Sequence, residues 1–129
     1  MLGWLWVWGP AVAQMAAIFT ASSISNIGTL PGGISDKTGH FIGYALLGVL
    51  VARALAGARW AGLTTGVALV ALVWSSVYGA SDEFHQLFVP GRTCDVNDWI
   101  ADTLGAAAAI VFVRALAIFV ARRARRREV

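Results

Sequence analysis

Apolar runs long enough to cross a lipid bilayer set the first limit on this chain. Residues 3–24, 36–56, 60–88 and 97–121 are each dominated by apolar side chains, and a hydrocarbon core of about 30 Å takes roughly 20 helical residues to cross. Of the 129 residues, 58% are hydrophobic and 13% charged, against roughly 25% charged in a soluble domain. Lipid must cover the excess. The expectation is an all-α integral membrane protein, one domain over residues 1–129 forming a four-transmembrane-helix bundle.

The first run carries Trp4, Trp6 and Trp8 near its start. A signal peptide is the competing reading, and Ala11-Val12-Ala13 resembles a cleavage site. No Lys or Arg precedes the run, however, and apolar sequence continues well past that point, so a retained helix with interfacial tryptophans is expected. Gly28, Pro31, Gly32 and Gly33 then make a loop, and Ser35 and Asp36 are cap residues for the second helix. The third run has no proline before Pro90. As one helix from Trp60 it would reach about 44 Å, so its last turns, from about Gly79, must leave the lipid, tilt or break.

Four spans put both termini on one side. Arg122, Arg123, Arg125, Arg126 and Arg127 end the chain, and Arg53 and Arg59 flank a short turn. These mark the cytoplasmic side, giving N-in/C-in and leaving Lys37 and Arg92 outside. A nucleic-acid arm would also be basic, but directly after an apolar helix the cluster reads as a lipid anchor. Arg114 lies about 24 Å beyond Asp98 along the fourth helix and can snorkel to the inner interface. The lone Cys94 excludes an internal disulfide.

Polar residues gather at the other end. Residues 81–105 hold five of the seven acidic residues, one of the two histidines and the cysteine. At helical spacing, Lys37, His40 and Tyr44 share one face, as do Tyr78, Asp82, Glu83 and Gln86, and then Asp98, Asp102 and Gly105. The topology brings these three sets to one depth, a polar cluster at the extracytoplasmic end. Ser35, Asp36, Asn97 and His85 read as caps or interfacial residues, and Asp98 stands between an N-cap and a site residue. His40 taken alone is an interfacial histidine; together with Lys37, Glu83, Arg92 and Asp98 it points to a site.

The spaced residues Asp36-Lys37-x-x-His40-x-x-x-Tyr44, Tyr78-Gly79-x-x-x-Glu83-x-x-Gln86-x-x-Val89-Pro90-Gly91-Arg92 and Asp98-x-x-Ala101-Asp102-x-x-Gly105 resemble the VanZ-like family of bacterial membrane proteins. The likeness covers nearly the whole chain, including Ser22-Ser23. Asp102 departs from it, since the family pattern more commonly has asparagine there. The family is named for a protein associated with resistance to the glycopeptide teicoplanin. The resemblance implies a multi-pass protein of the bacterial plasma (inner) membrane with a cell-envelope role.

Three functions compete. The first is binding, or a transport-type role, directed at an anionic lipid or lipid-linked envelope precursor. Lys37 and Arg92 would take the phosphate, His40 would add a donor oriented by Glu83 or Asp98, and Tyr44, Tyr78, Gln86 and Asp102 would complete the ligand site. The second is an enzyme acting on a lipid phosphate, with His40 as nucleophile or general acid/base and Glu83 or Asp98 as orienting carboxylate. The third is a structural subunit whose polar cluster holds the helices together. His40, Glu83, Asp98 and Asp102 are chemically able to ligate a divalent ion, but no HExxH-type spacing accompanies them. No metal, cofactor or nucleic-acid partner is expected.

Overall fold

The computed structural model describes residues 2–25, 32–33 and 35–127. Asn26, Gly28 and Pro31 of the expected first loop lie outside the described residues. Four α-helices follow in order: α1 Leu2–Ser22, α2 Asp36–Leu55, α3 Thr65–Gln86 and α4 Val96–Arg125. No strand occurs among the described residues. The segments Gly3–Ser22, Asp36–Leu55 and Val96–Arg125 are long and apolar enough to cross a membrane. Helix α3 is 22 residues long and carries Asp82, Glu83 and Gln86 in its last turns.

The third run is where the structure departs from expectation. Residues Trp60–Gly62 form a separate 3-10 turn, and α3 starts only at Thr65. The Thr64 side chain accepts from the Val67 backbone N–H at 3.2 Å, which caps a fresh helix. The overlong single helix is thereby replaced by one of about 33 Å. The preceding turn reverses the chain through Gly57 (φ 64°) and Ala58 (φ 61°). Ala58 is in the left-handed region, at a cost an alanine bears only where its surroundings impose it. Ser35 caps α2, as expected, accepting from Thr38 N–H.

The helices alternate in direction. Ser22 at the end of α1 meets Asp82 near the end of α3, and Lys37 at the start of α2 meets Asp98 at the start of α4. At the opposite end Arg53 reaches Trp6 and Arg114 reaches Thr65. One end of the bundle is thus acidic and the other basic.

Helix α2 is central, and its Tyr44, Leu47, Val51 and Ala52 form the core with Ala11, Ala71, Ala106 and Ile110. It lies against α4 at backbone contact. A Cβ at Gly48 would stand 3.0 Å from Ala106 Cα, and one at Gly105 would collide with the Phe41 carbonyl. The small residues of α4 therefore permit a close approach, the device that joins helices where water supplies no hydrophobic drive. Large apolar side chains such as Trp6, Val73, Trp74, Val77, Phe112 and Phe119 face outward, as a lipid-facing surface requires.

Pro10 sits inside α1. Proline has no N–H for the carbonyl four residues earlier, here that of Trp6. The Arg53 guanidinium supplies the donor: Nη1 reaches Trp6 O at 3.1 Å and Val7 O at 3.3 Å, with its carbon 5.2 Å from the centre of the Trp6 ring. Arg53 also lies in the last turn of α2, where a cation suits the helix dipole.

Candidate functional site

The acidic end is assembled by the first turns of α2 and α4 and the last turns of α3. Lys37 donates to Asp98 Oδ1 at 2.9 Å and to Asp95 Oδ2 at 3.0 Å. One ammonium therefore bridges a buried and a part-exposed carboxylate. His40 Nδ1 lies 2.9 Å from Asp102 Oδ1, while Nε2 faces Asp36 Oδ2 at 3.8 Å and Asp98 Oδ2 at 4.0 Å. Asp102 is 0% exposed, and its Oδ2 has no hydrogen-bond partner among the described residues. Neither has the buried hydroxyl of Tyr44, one turn beyond His40 on α2.

Helix α3 contributes Asp82, Glu83 and Gln86, all buried. Asp82 Oδ2 accepts from Ser22 Oγ at 2.8 Å, fastening the end of α1. Glu83 Oε2 accepts from the backbone N–H of Asp95 at 2.8 Å, and its Oε1 lies 3.5 Å from Gln86 Nε2. Gly79 lets Asp102 approach, since a Cβ there would stand 3.0 Å from Asp102 Oδ2.

The expected site residues separate into groups. Lys37, His40, Glu83, Gln86, Asp98 and Asp102 converge, and Tyr44 lies beneath them. Tyr78 turns away, donating from its hydroxyl to Met15 O at 2.7 Å and so tying α3 to α1. Arg92 follows the Pro90-Gly91 turn, where Gly91 has φ 79°; its backbone N–H donates to Val89 O at 3.1 Å, and its guanidinium makes no hydrogen bond or ion pair among the described residues. Instead it borders a cleft of about 280 Å³ between α1, α2 and α3. The cleft has a polar end at Arg92, Asp36, His40 and Asp82 and an apolar wall of Ala17, Ile18 and Ala21.

Asp98 is not the cap of α4. Asp95 takes that role, accepting from Asn97 N–H at 2.8 Å, and this frees the Asp98 side chain for Lys37. The backbone N–H of Asn97, with the Lys37 ammonium after it, holds the Asp95 carboxyl down to about 2. His85 behaves as an interfacial residue, with Nε2 2.9 Å from Ser23 Oγ and its ring stacked 4.4 Å from Phe19. Sequence reasoning placed Asp82 on a converging polar face but left it, with Asp95 and Ser22, out of the ligand site. An aspartate immediately before an apolar helix is the ordinary cap signal, and Asp82 shares the face of Tyr78 and Gln86; nothing local marks Ser22.

The VanZ/LLP1 family model matches residues 7–119. The chain belongs to the VanZ/LLP1 family. Neither the curated proteins nor the solved structures compared with it include a significant match. The match to VanZ/LLP1 takes in all three helix ends that form the acidic cluster, the Arg92 turn and the α1 wall of the cleft. Together with the three apolar helices, it makes this a membrane protein.

Proposed function

We propose that the protein binds an anionic lipid or lipid-linked envelope precursor in the cleft between α1, α2 and α3. The observation that carries this reading is the amphiphilic build of the cleft. The Arg92 guanidinium, free of partners among the described residues, stands at its polar end, and Ala17, Ile18 and Ala21 form an apolar wall. A guanidinium fork suits a phosphate group, and the wall suits an acyl or prenyl chain. Lys37 serves differently, because Asp95 and Asp98 already hold its ammonium. It keeps their two charges from repelling the ligand.

In this reading the protein is multi-pass in the bacterial plasma membrane. All four helices span it, the arginine-rich end is cytoplasmic and the cleft opens toward the outer leaflet. The role is in the cell envelope and is related to glycopeptide (teicoplanin) resistance through the family.

The experiment is lipid binding to purified protein in nanodiscs, with polyprenyl phosphate against a zwitterionic lipid. Saturable binding of the phosphate lipid is expected. Arg92→Ala should weaken it by roughly tenfold, the loss of one charge-assisted contact, with an unchanged melting temperature. Equal binding of both lipids, insensitive to Arg92, removes the reading.

A second reading has its own observation. The His40–Asp102 contact at 2.9 Å is how a carboxylate orients a catalytic imidazole, and His40 borders the cleft. A hydrolase or transferase acting on a lipid phosphate would release phosphate from polyprenyl phosphate or pyrophosphate, and would lose that activity in His40→Ala. Retained binding without phosphate release excludes it.

A further inference from the structure

We propose that His40, Glu83 and Asp102 form a binding site for one divalent transition-metal cation, of the Zn2+ or Mn2+ class, where α2, α3 and α4 converge. The proposal does not rest on the lipid reading.

The charge balance of the cluster motivates it. Asp95 and Asp98 have their counter-ion in Lys37. The buried carboxylates Asp82, Glu83 and Asp102 do not. Asp82 meets the neutral Ser22 hydroxyl, Glu83 a backbone N–H and the Gln86 amide, and Asp102 the imidazole of His40. In their direct contacts the three acids thus share at most one positive charge, and an uncompensated charge in a buried place is strongly destabilising. A divalent cation would neutralise the remainder.

The geometry fits such an ion. One ligand atom each from His40, Glu83 and Asp102 lies within 4.8 Å of the others, and the three residues come from three different helices. The 2.9 Å between His40 Nδ1 and Asp102 Oδ1 is close to the ~3.0 Å that separates neighbouring ligands of a six-coordinate ion with bonds of about 2.1 Å. Glu83 commits Oε2 to the Asp95 N–H at 2.8 Å and leaves Oε1 with only a 3.5 Å contact to Gln86. Oε1 is therefore the oxygen available to a metal.

A second, independent observation points to a ligand. Asp102 is 0% exposed and its Oδ2 has no partner, and the Tyr44 hydroxyl beside the cluster has none either. Buried polar atoms are rarely left so. A cation held through Asp102 Oδ1 would bring coordinated waters, one for Asp102 Oδ2 and one for the Tyr44 hydroxyl. One imidazole nitrogen with two carboxylate oxygens is a mixed set that suits Zn2+ or Mn2+ better than the all-oxygen ions. It also gives a reason for aspartate at position 102, where an amide would bring no charge. The neighbouring set Asp36, His40 and Asp98 is the weaker place, because Asp36 is exposed and Lys37 already holds Asp98.

The test uses tag-free, full-length protein in detergent, stripped with EDTA and titrated with Zn2+ and with Mn2+. Binding near one ion per chain is expected, with a melting temperature that rises on metal addition and falls again with EDTA. Asp102→Asn and Glu83→Gln should weaken binding by at least roughly tenfold, whereas Asp36→Asn should leave it unchanged. Should either buried variant fail to fold, electron paramagnetic resonance of the wild-type Mn2+ form decides, and hyperfine coupling to a single imidazole nitrogen is expected. No stoichiometric binding, binding lost in Asp36→Asn but kept in Asp102→Asn, or a Mn2+ spectrum without nitrogen coupling each overturns the proposal.

Discussion

Asp95 shows how one residue can organise two others. By capping α4 it frees Asp98 for Lys37, and it offers its own second oxygen to the same ammonium. Its acidity follows from this position. A carboxyl at about 2 in the fold against an ordinary 3.8 contributes stability that is fully present above pH ~4 and is lost as the pH falls through about 2. The difference in melting temperature between wild type and Asp95→Ala, measured in detergent, should therefore be steady from neutral pH to about 4 and narrow from there toward pH 2. A gap that persists undiminished at pH 2 would show that the charge of Asp95 contributes nothing. The sequence marks Asp98, not Asp95, because periodicity reports which residues share a face and says nothing of which aspartate closes the helix end.

At the scale of elements, helix existence and direction were legible and the internal articulation of the third run was not. Apolar length locates α1, α2 and α4 well, and Ser35 announces the start of α2. The stretch from Trp60 reads as continuous helix because it lacks proline, yet the Thr64 cap starts α3 only at Thr65. A threonine cap is a weak signal inside apolar sequence. Pro10 makes the converse point: it stands within an unbroken α1, and the repair comes from α2. Arg53→Ala should cost about 1.5–3 kcal/mol, the range for hydrogen bonds that involve a charged group. In a Pro10→Ala background the same change should cost less, because residue 10 then supplies its own N–H to the Trp6 carbonyl. A denaturation cycle over the four proteins measures the coupling, and strict additivity would refute the pairing of Arg53 with the proline gap.

For the whole molecule, the separation of acidic and basic ends was legible from topology, since the helix faces of Lys37, Glu83 and Asp98 can meet only if the helices alternate. What the sequence does not disclose is which charges are left over once the pairs form, because Lys37 was as eligible for a ligand as Arg92. The chain carries its own probe of orientation in Cys94, its only cysteine, exposed at the acidic end. With that end outside, a membrane-impermeant maleimide should label Cys94 in intact cells. Ala121→Cys in a Cys94→Ser background should stay protected until the membrane is opened, and the reverse pattern would invert the topology. The Ser22–Asp82 hydrogen bond closes the bundle across sixty positions of chain. Chains are made from the N-terminus, so α1 leaves the ribosome well before the carboxylate that anchors its far end exists. Its final seat is taken only after most of α3 has been synthesised, so this end of α1 waits without its partner while α2 and the body of α3 are made.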